Sequence, residues 1–173
     1  AEINAAPFQT SNTRPGDIKF ADLDKNNTIN GDDQKILGNA QPKYYGGFTN
    51  TFSWKGLEIS ALFQFSQGNM IYNNTRVFAE GMANSVFGQY ATILKRWTPQ
   101  NPNNDIRYPR VMFGDLNNNR RVSNRWLEDG SYLRLRNITL GYNFPTTIAQ
   151  KLKVSRLRVY VQGQNLITWT KYS

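Results

Sequence analysis

The sequence predicts an all-β fold of antiparallel strands, joined by long loops and one short helix. Three observations predict it. Apolar and polar residues alternate with a period of two in Tyr44–Gln67 and again in Tyr132–Trp169, which is the repeat of a strand with one apolar and one polar face. The Lys55-Gly56 pair between two such runs has the length and residue types of a hairpin turn. From Gly68 to Gly130 the alternation vanishes and Asn, Pro and Gly dominate, the composition of loops. The apolar side of such strands forms the core of a sandwich, or faces lipid in an outer-membrane barrel whose polar side lines the lumen. Periodicity alone does not choose between these.

The opening stretch to Arg14 has no periodicity and reads as extended chain or loop, and Pro15-Gly16 then punctuates it. Asp22–Asp33, DLDKNNTINGDD, follows. Its spacing is that of a loop which wraps a hard cation, because alternate residues of a tight turn can aim several oxygens at one point. Asp22, Asp24 and Asn26 occupy the first, third and fifth positions, Thr28 offers its carbonyl at the seventh, Asn30 holds the ninth, and Asp33 closes the loop at the twelfth. Ile29 is the apolar anchor at the eighth. Two residues depart from the pattern: Asn27 stands where glycine is usual, and Asp33 stands where a longer glutamate is usual. Asn tolerates a left-handed backbone, so calcium is the expected ligand, and the competing reading is an Asx-rich turn without metal.

In Tyr44–Trp54, Tyr44, Phe48, Phe52 and Trp54 share one face while Thr49, Thr51 and Ser53 share the other. Leu57–Gln67 sets Leu57, Ile59, Ala61, Phe63 and Phe65 against Glu58, Ser60, Leu62, Gln64 and Ser66. Phe52 and Trp54 lie at the turn end, where a barrel carries its interfacial aromatics and a sandwich its core aromatics. The short helix is expected over Phe87–Trp97, where Phe87, Tyr90, Leu94 and Trp97 recur three or four apart, and Pro99 ends it. Tyr132–Phe144 and Arg156–Trp169 are the last strands, joined by Pro145–Val154. In the first of them the apolar phase changes near Arg136-Asn137. A bulge produces such a change, and so does a strand end that stands clear of lipid.

Composition narrows the chemistry. The 173 residues contain no Cys and no His, which removes thiolates, disulfides, the histidine-based triad and most zinc sites. A paired-carboxylate hydrolase built on Glu128-Asp129 is rejected, since neighbours on a strand-like segment point to opposite faces. The net charge of +9 draws on Arg107, Arg110, Arg120, Arg121, Arg125, Arg134 and Arg136. These lie beside Asn-rich loop sequence with no nucleic-acid motif, and read as a solvated loop face. No run is long and apolar enough for a helical span, and no secretory leader opens the chain. The chain is therefore expected to be a fragment.

Several blocks, in order, resemble one family. PGDIKFADLDKNNTINGDDQKILGNAQPKYYGGF, RWTPQNPNNDIRYPR, SNRWLEDGSYLRL and SYLRLRNITLGYNFP followed by LRVYVQGQNLITWTKYS are similar to the C-terminal part of SusC/RagA-like TonB-dependent outer-membrane receptors. The resemblance implies strands of a large transmembrane β-barrel in the outer membrane, no enzymatic activity, and import of glycans or peptides. It also implies calcium in the acidic loop. The implied partners are the rest of the barrel and its plug, a SusD-like lipoprotein, TonB through parts absent here, and membrane lipid, with no nucleic acid. Residues 1–43 become an extracellular loop with the calcium-like site, 44–67 a barrel hairpin, 68–130 a long extracellular loop with the helix, and 131–173 barrel strands with a periplasmic turn. The alternative is a soluble, calcium-stabilised β-sandwich that binds carbohydrate through Trp54, Trp97, Trp126 or Trp169.

Overall fold

The structure is a computed structural model that describes residues 5–82 and 88–172. The chain separates into two compact units, residues 1–37 with 72–127, and 38–71 with 128–173. The second unit holds a four-stranded antiparallel sheet in the order β1 (Tyr44–Trp54), β2 (Leu57–Gln67), β5 (Tyr132–Asn143), β6 (Arg158–Thr170). A two-stranded ladder of β3 (Met70–Tyr72) and β4 (Leu127–Asp129) lies where the chain passes from one unit to the other.

Local chemistry explains the sheet. At the turn between β1 and β2, Lys55 and Gly56 have φ of 47° and 91°, the left-handed pair that matches strand twist in a two-residue hairpin. Gly56 is required there. A Cβ on it would sit 2.6 Å from the Asn143 carbonyl oxygen, which accepts no such intrusion because the Asn143 N–H donates to the Gly56 carbonyl at 2.8 Å. The phase change in β5 is a bulge: the register steps from Leu135 to Asn137 and leaves Arg136 unpaired. Opposite it, β6 steps from Gln164 to Ile167, with Asn165 left-handed at φ 50°. The helix α2 (Thr146–Lys151) fills the link between β5 and β6 and buries Ala149.

The register puts rows of apolar residues on one face: Trp54, Leu57, Tyr142 and Val159; Phe52, Ile59, Leu140 and Val161; Phe48, Phe63, Leu135 and Ile167. Phe48 stacks on Phe63 with ring centroids 5.1 Å apart. No described residue covers this face, and Trp54 and Val161 remain 60% and 66% exposed. The opposite face is polar, with Arg134 donating to Thr168, Arg136 to Gln64, and Arg158 paired with Glu58.

These observations correct the barrel expectation. A barrel needs strands that tilt, stagger and close on the first, whereas this sheet ends in two edges, β1 and β6, that pair with no other described strand, and the other sheet has only β3 and β4. The described strands form two antiparallel sheets, one of four strands and one of two, and no closed barrel. Identification of the chain as the barrel portion of a SusC/RagA-like receptor, with a transmembrane β-barrel fold, is set aside on that ground. The outer-membrane location rested on the barrel and falls with it. Separately, no helix among the described residues is long and apolar enough to cross a membrane, which concerns helical spans only.

The first unit is loop-rich. The expected helix over Phe87–Trp97 is one 3-10 segment, Ala91–Lys95; residues 83–87 lie outside the described set. This unit also holds the α-helix α1 (Asn74–Ala79), capped by the Asn73 side chain, which accepts from the Arg76 N–H. Trp126 is fully buried, and the unit's other buried residues mix apolar Ile18, Ala79 and Met82 with polar Asn117, Asn119, Asp115 and Arg125, each 8% exposed or less. A chain without long strands meets its backbone hydrogen-bond demand through side chains. Arg125 does this directly, donating to the carbonyls of Glu80, Arg107 and Asn119.

Candidate functional site

Two features of the first unit can act on a ligand: the acidic loop and a groove. In the loop, Lys25 and Asn27 take left-handed backbone, φ 63° and 64°, so the chain doubles back on itself. Asp22, Asp24 and Asp33 each bring a carboxylate oxygen within 4.8 Å of the others. Asp33 is drawn in by backbone: its Oδ1 accepts from the Leu23 N–H at 2.6 Å and its Oδ2 from the Asn30 N–H at 2.8 Å. Those two donations hold its carboxyl below the usual carboxylate range, the Asn30 amide contributing most. Asp24 moves the other way. The Asn26 amide favours its charge, but desolvation and the nearby Asp22 and Asp33 outweigh that and raise it.

Asp22 Oδ2 accepts from the Asn27 N–H at 2.8 Å, whereas Asp22 Oδ1 is buried with no hydrogen-bond partner. An orphaned anionic oxygen beside two further carboxylates fits a hard cation, which supplies the missing positive charge. Of the residues singled out by spacing, the structure brings together the three aspartates. The amide oxygens of Asn26 and Asn30 instead accept from the Thr28 and Asp32 N–H groups. Thr28 bridges to Phe8 in a parallel pair, and the pair uses the Asn27 carbonyl and the Ile29 N–H, so the Thr28 carbonyl points away from Phe8.

The groove, about 840 Å³, is lined by residues 6–11 and 13–19 and, facing them, by Trp97, residues 103–106, Tyr108 and Pro109. Gly16 sits against the Trp97 ring with φ 88°, and a Cβ there would lie 2.4 Å from ring carbon Cε3. Two backbone bonds frame this contact: Trp97 N–H to Tyr108 carbonyl at 2.9 Å and Arg110 N–H to Gly16 carbonyl at 2.8 Å. Arg107 forks onto Asp105, at 3.0 Å from Nε and 2.6 Å from Nη2. That contact lowers the Asp105 carboxyl and raises the Arg107 guanidinium. A polar framework starts from the lining itself: Asp17, its side chain 1% exposed, pairs with Arg110 and accepts from Asn119 at 2.9 Å, while Thr13 donates to Asn117 at 2.6 Å.

Asn117 and Asn119 sit in a run, LNNNRR, that reads as plain loop; nothing in spacing shows that their partners lie about a hundred residues earlier. Of the four tryptophans, only Trp97 lines the groove. Trp126 is buried beneath Arg125, whose guanidinium lies 4.1 Å from the ring centre, and Trp54 and Trp169 belong to the sheet. The loop arginines are also not a simple solvated face. Arg110 and Arg125 are structural, and Arg121 stacks over Phe20 at 4.2 Å.

No protein-family model matches the chain. It is 38% identical over 159 residues to TonB-dependent receptor P3 of Formosa agariphila, which is 91% of this chain but 15% of the relative. To TonB-dependent receptor P26 of the same organism it is 36% identical over 91% of this chain and 16% of the relative. Among solved structures it is similar to the RagAB peptide transporter, with TM-score 0.70, 30% identity, and coverage of 84% of this chain and 16% of that one. It is similar also to the RagAB peptide importer in its "closed-closed" state, with TM-score 0.70, 31% identity, and coverage of 87% and 17%.

The chain thus spans about a sixth of the length of the relatives it matches. The similarity links it to the TonB-dependent transport superfamily, and relatives of that kind accord with a non-enzymatic role. The partners implied by the resemblance do not survive. The matched part is too small a share of those proteins to carry a plug, a SusD-like lipoprotein or TonB onto this chain, and the open sheet shows neither a barrel remainder nor a lipid-spanning wall.

Proposed function

We propose that this chain is a non-catalytic, calcium-stabilised antiparallel-β module that binds carbohydrate in the groove beside Trp97. The observation that carries the reading is the meeting of an aromatic wall, Trp97 and Tyr108, with planar polar side chains, Asn103, Asn104 and Asp105, along one groove. Sugars offer apolar ring faces and hydroxyl edges, and this lining offers a partner to each. Calcium belongs to the same proposal. Asp22, Asp24 and Asp33 would hold it, with the Thr28 carbonyl on the side of the loop that faces away from Phe8; a bound cation relieves repulsion among carboxylates. Isothermal titration with neutral hexasaccharides of several linkages tests the groove. Binding in the high-micromolar range that Trp97→Ala weakens at least tenfold is expected, and no heat with any of them rejects carbohydrate.

A second reading has its own support in the relatives. Three TonB-dependent receptors and the RagAB structures, described as a peptide importer and transporter, match this chain. In that reading the chain is a segment of a longer TonB-dependent receptor and contributes to uptake of an oligomer, glycan or peptide. A ten-residue peptide titrated alongside the sugars separates the two ligand classes.

A further inference from the structure

We infer that the acidic loop controls the shape of the groove, so that cation binding by Asp22, Asp24 and Asp33 sets the position of the groove wall at Phe8 and Gln9. The inference rests on the calcium reading of the loop, and its use for binding rests on the ligand reading of the groove.

The connection is short and made of bonds already described or adjacent to them. Asp22 accepts the Asn27 N–H with one oxygen and leaves the other buried and unpartnered among the carboxylates. The carbonyl of that same Asn27 accepts the Phe8 N–H at 2.8 Å, and the Phe8 carbonyl accepts the Ile29 N–H at 2.8 Å. Phe8 and Gln9 both line the groove. Gln9 then locks the next layer: its Nε2 donates to the Ile18 carbonyl at 3.1 Å and its Oε1 accepts the Phe20 N–H at 2.7 Å. Two residues before Ile18 is Gly16, on which the Trp97 ring rests.

The loop has a reason to change shape. Three carboxylates within 4.8 Å repel one another, the more so where solvent is reduced. Neutralising them tightens the turn at Asn27, whose left-handed backbone and whose bond to Phe8 are set at one residue. Ile29, buried at 9% exposure, anchors the other bond. Ordering that segment before a ligand arrives lowers the entropy cost of binding.

The test uses the whole chain, stripped with chelator and titrated with calcium chloride, and needs no groove ligand. Calorimetry reports cation binding, and amide hydrogen exchange reports Phe8 and Ile29. Calcium is expected to slow exchange at both amides at least tenfold and to shift the Trp97 indole signal, with Asp22→Asn abolishing all three effects. In Gln9→Ala, slowing at Ile29 persists while the Trp97 shift is lost. Calcium heat with unchanged exchange at Phe8 overturns the coupling and leaves the metal site standing; absence of heat overturns both. Failure of every sugar and peptide to bind leaves these readouts unchanged and falls on the groove alone.

Discussion

At the scale of single residues, Gly16 and Trp97 form one contact that neither makes alone. A side chain at Gly16 meets the ring and also sits at φ 88°, where L-residues are strained by about 1–2 kcal/mol. Gly16→Ala is therefore expected to lower stability by about 2 kcal/mol in urea unfolding and to move Trp97 fluorescence; unchanged fluorescence would mean that the ring does not rest there. Arg125 is a second such residue. Burial pushes its guanidinium down to about 10, still well above neutral pH, so the charge is kept and spent on three carbonyls. Arg125→Met leaves those acceptors unsatisfied and is expected to cost about 3 kcal/mol.

The acidic loop gives a pH dependence with a definite sign. Asp33 is lowered in the fold, so its contribution to stability is present above the ordinary carboxylate value of 3.8 and is lost as pH falls through its folded value. Asp24 is raised, so it takes up a proton at higher pH than an ordinary carboxylate and its charge costs stability above that point. Cations compete with that proton. Calcium affinity measured from pH 7 down to pH 4 should weaken progressively, beginning above 3.8, with protons released on binding; affinity flat over this range would remove Asp24 from the ligand set.

At the scale of elements, the strands announce themselves and the loops do not. The hairpin of β1 and β2 is legible because period-two alternation and Lys55-Gly56 are local signals, and the bulge at Arg136 is legible as a shift of phase. Gly56→Ala tests this turn: strain at φ 91° and contact with the Asn143 carbonyl should cost about 2 kcal/mol. The loop unit is illegible for a physical reason. Thr13 to Asn117, Ile18 to Asn119 and Asp17 to Arg110 join residues far apart in sequence, and side chain–backbone bonds have no period. The spacing of Phe87, Tyr90, Leu94 and Trp97 reads as helical, yet among the described residues of that stretch only Ala91–Lys95 turns, as 3-10. Trp97 is drawn instead to Gly16 and Tyr108, a tertiary demand that overrides propensity. Within the acidic loop, spacing identified the aspartates that converge, but not that Asn26 and Asn30 would turn to the backbone.

At the scale of the whole molecule, one sheet face and two strand edges are uncovered by any described residue. Four strands of this length, at about 3.3 Å per residue and about 4.8 Å between strands, present on the order of 800 Å², which is the area each partner contributes to a stable protein interface. In aqueous buffer the chain should self-associate with rising concentration, and Ile59→Lys with Val161→Lys should shift light scattering toward the monomer. A monodisperse monomer at high concentration in the unmutated chain would contradict this. The other unit carries the binding proposal, and the chain's four tryptophans make that proposal directly observable. In proton–nitrogen spectra with a neutral hexasaccharide added, the Trp97 indole signal should move in proportion to ligand while those of Trp54, Trp126 and Trp169 stay fixed. If Trp97 stays fixed while Trp54 or Trp169 moves, or if no indole moves at saturating sugar, the groove is not the binding site.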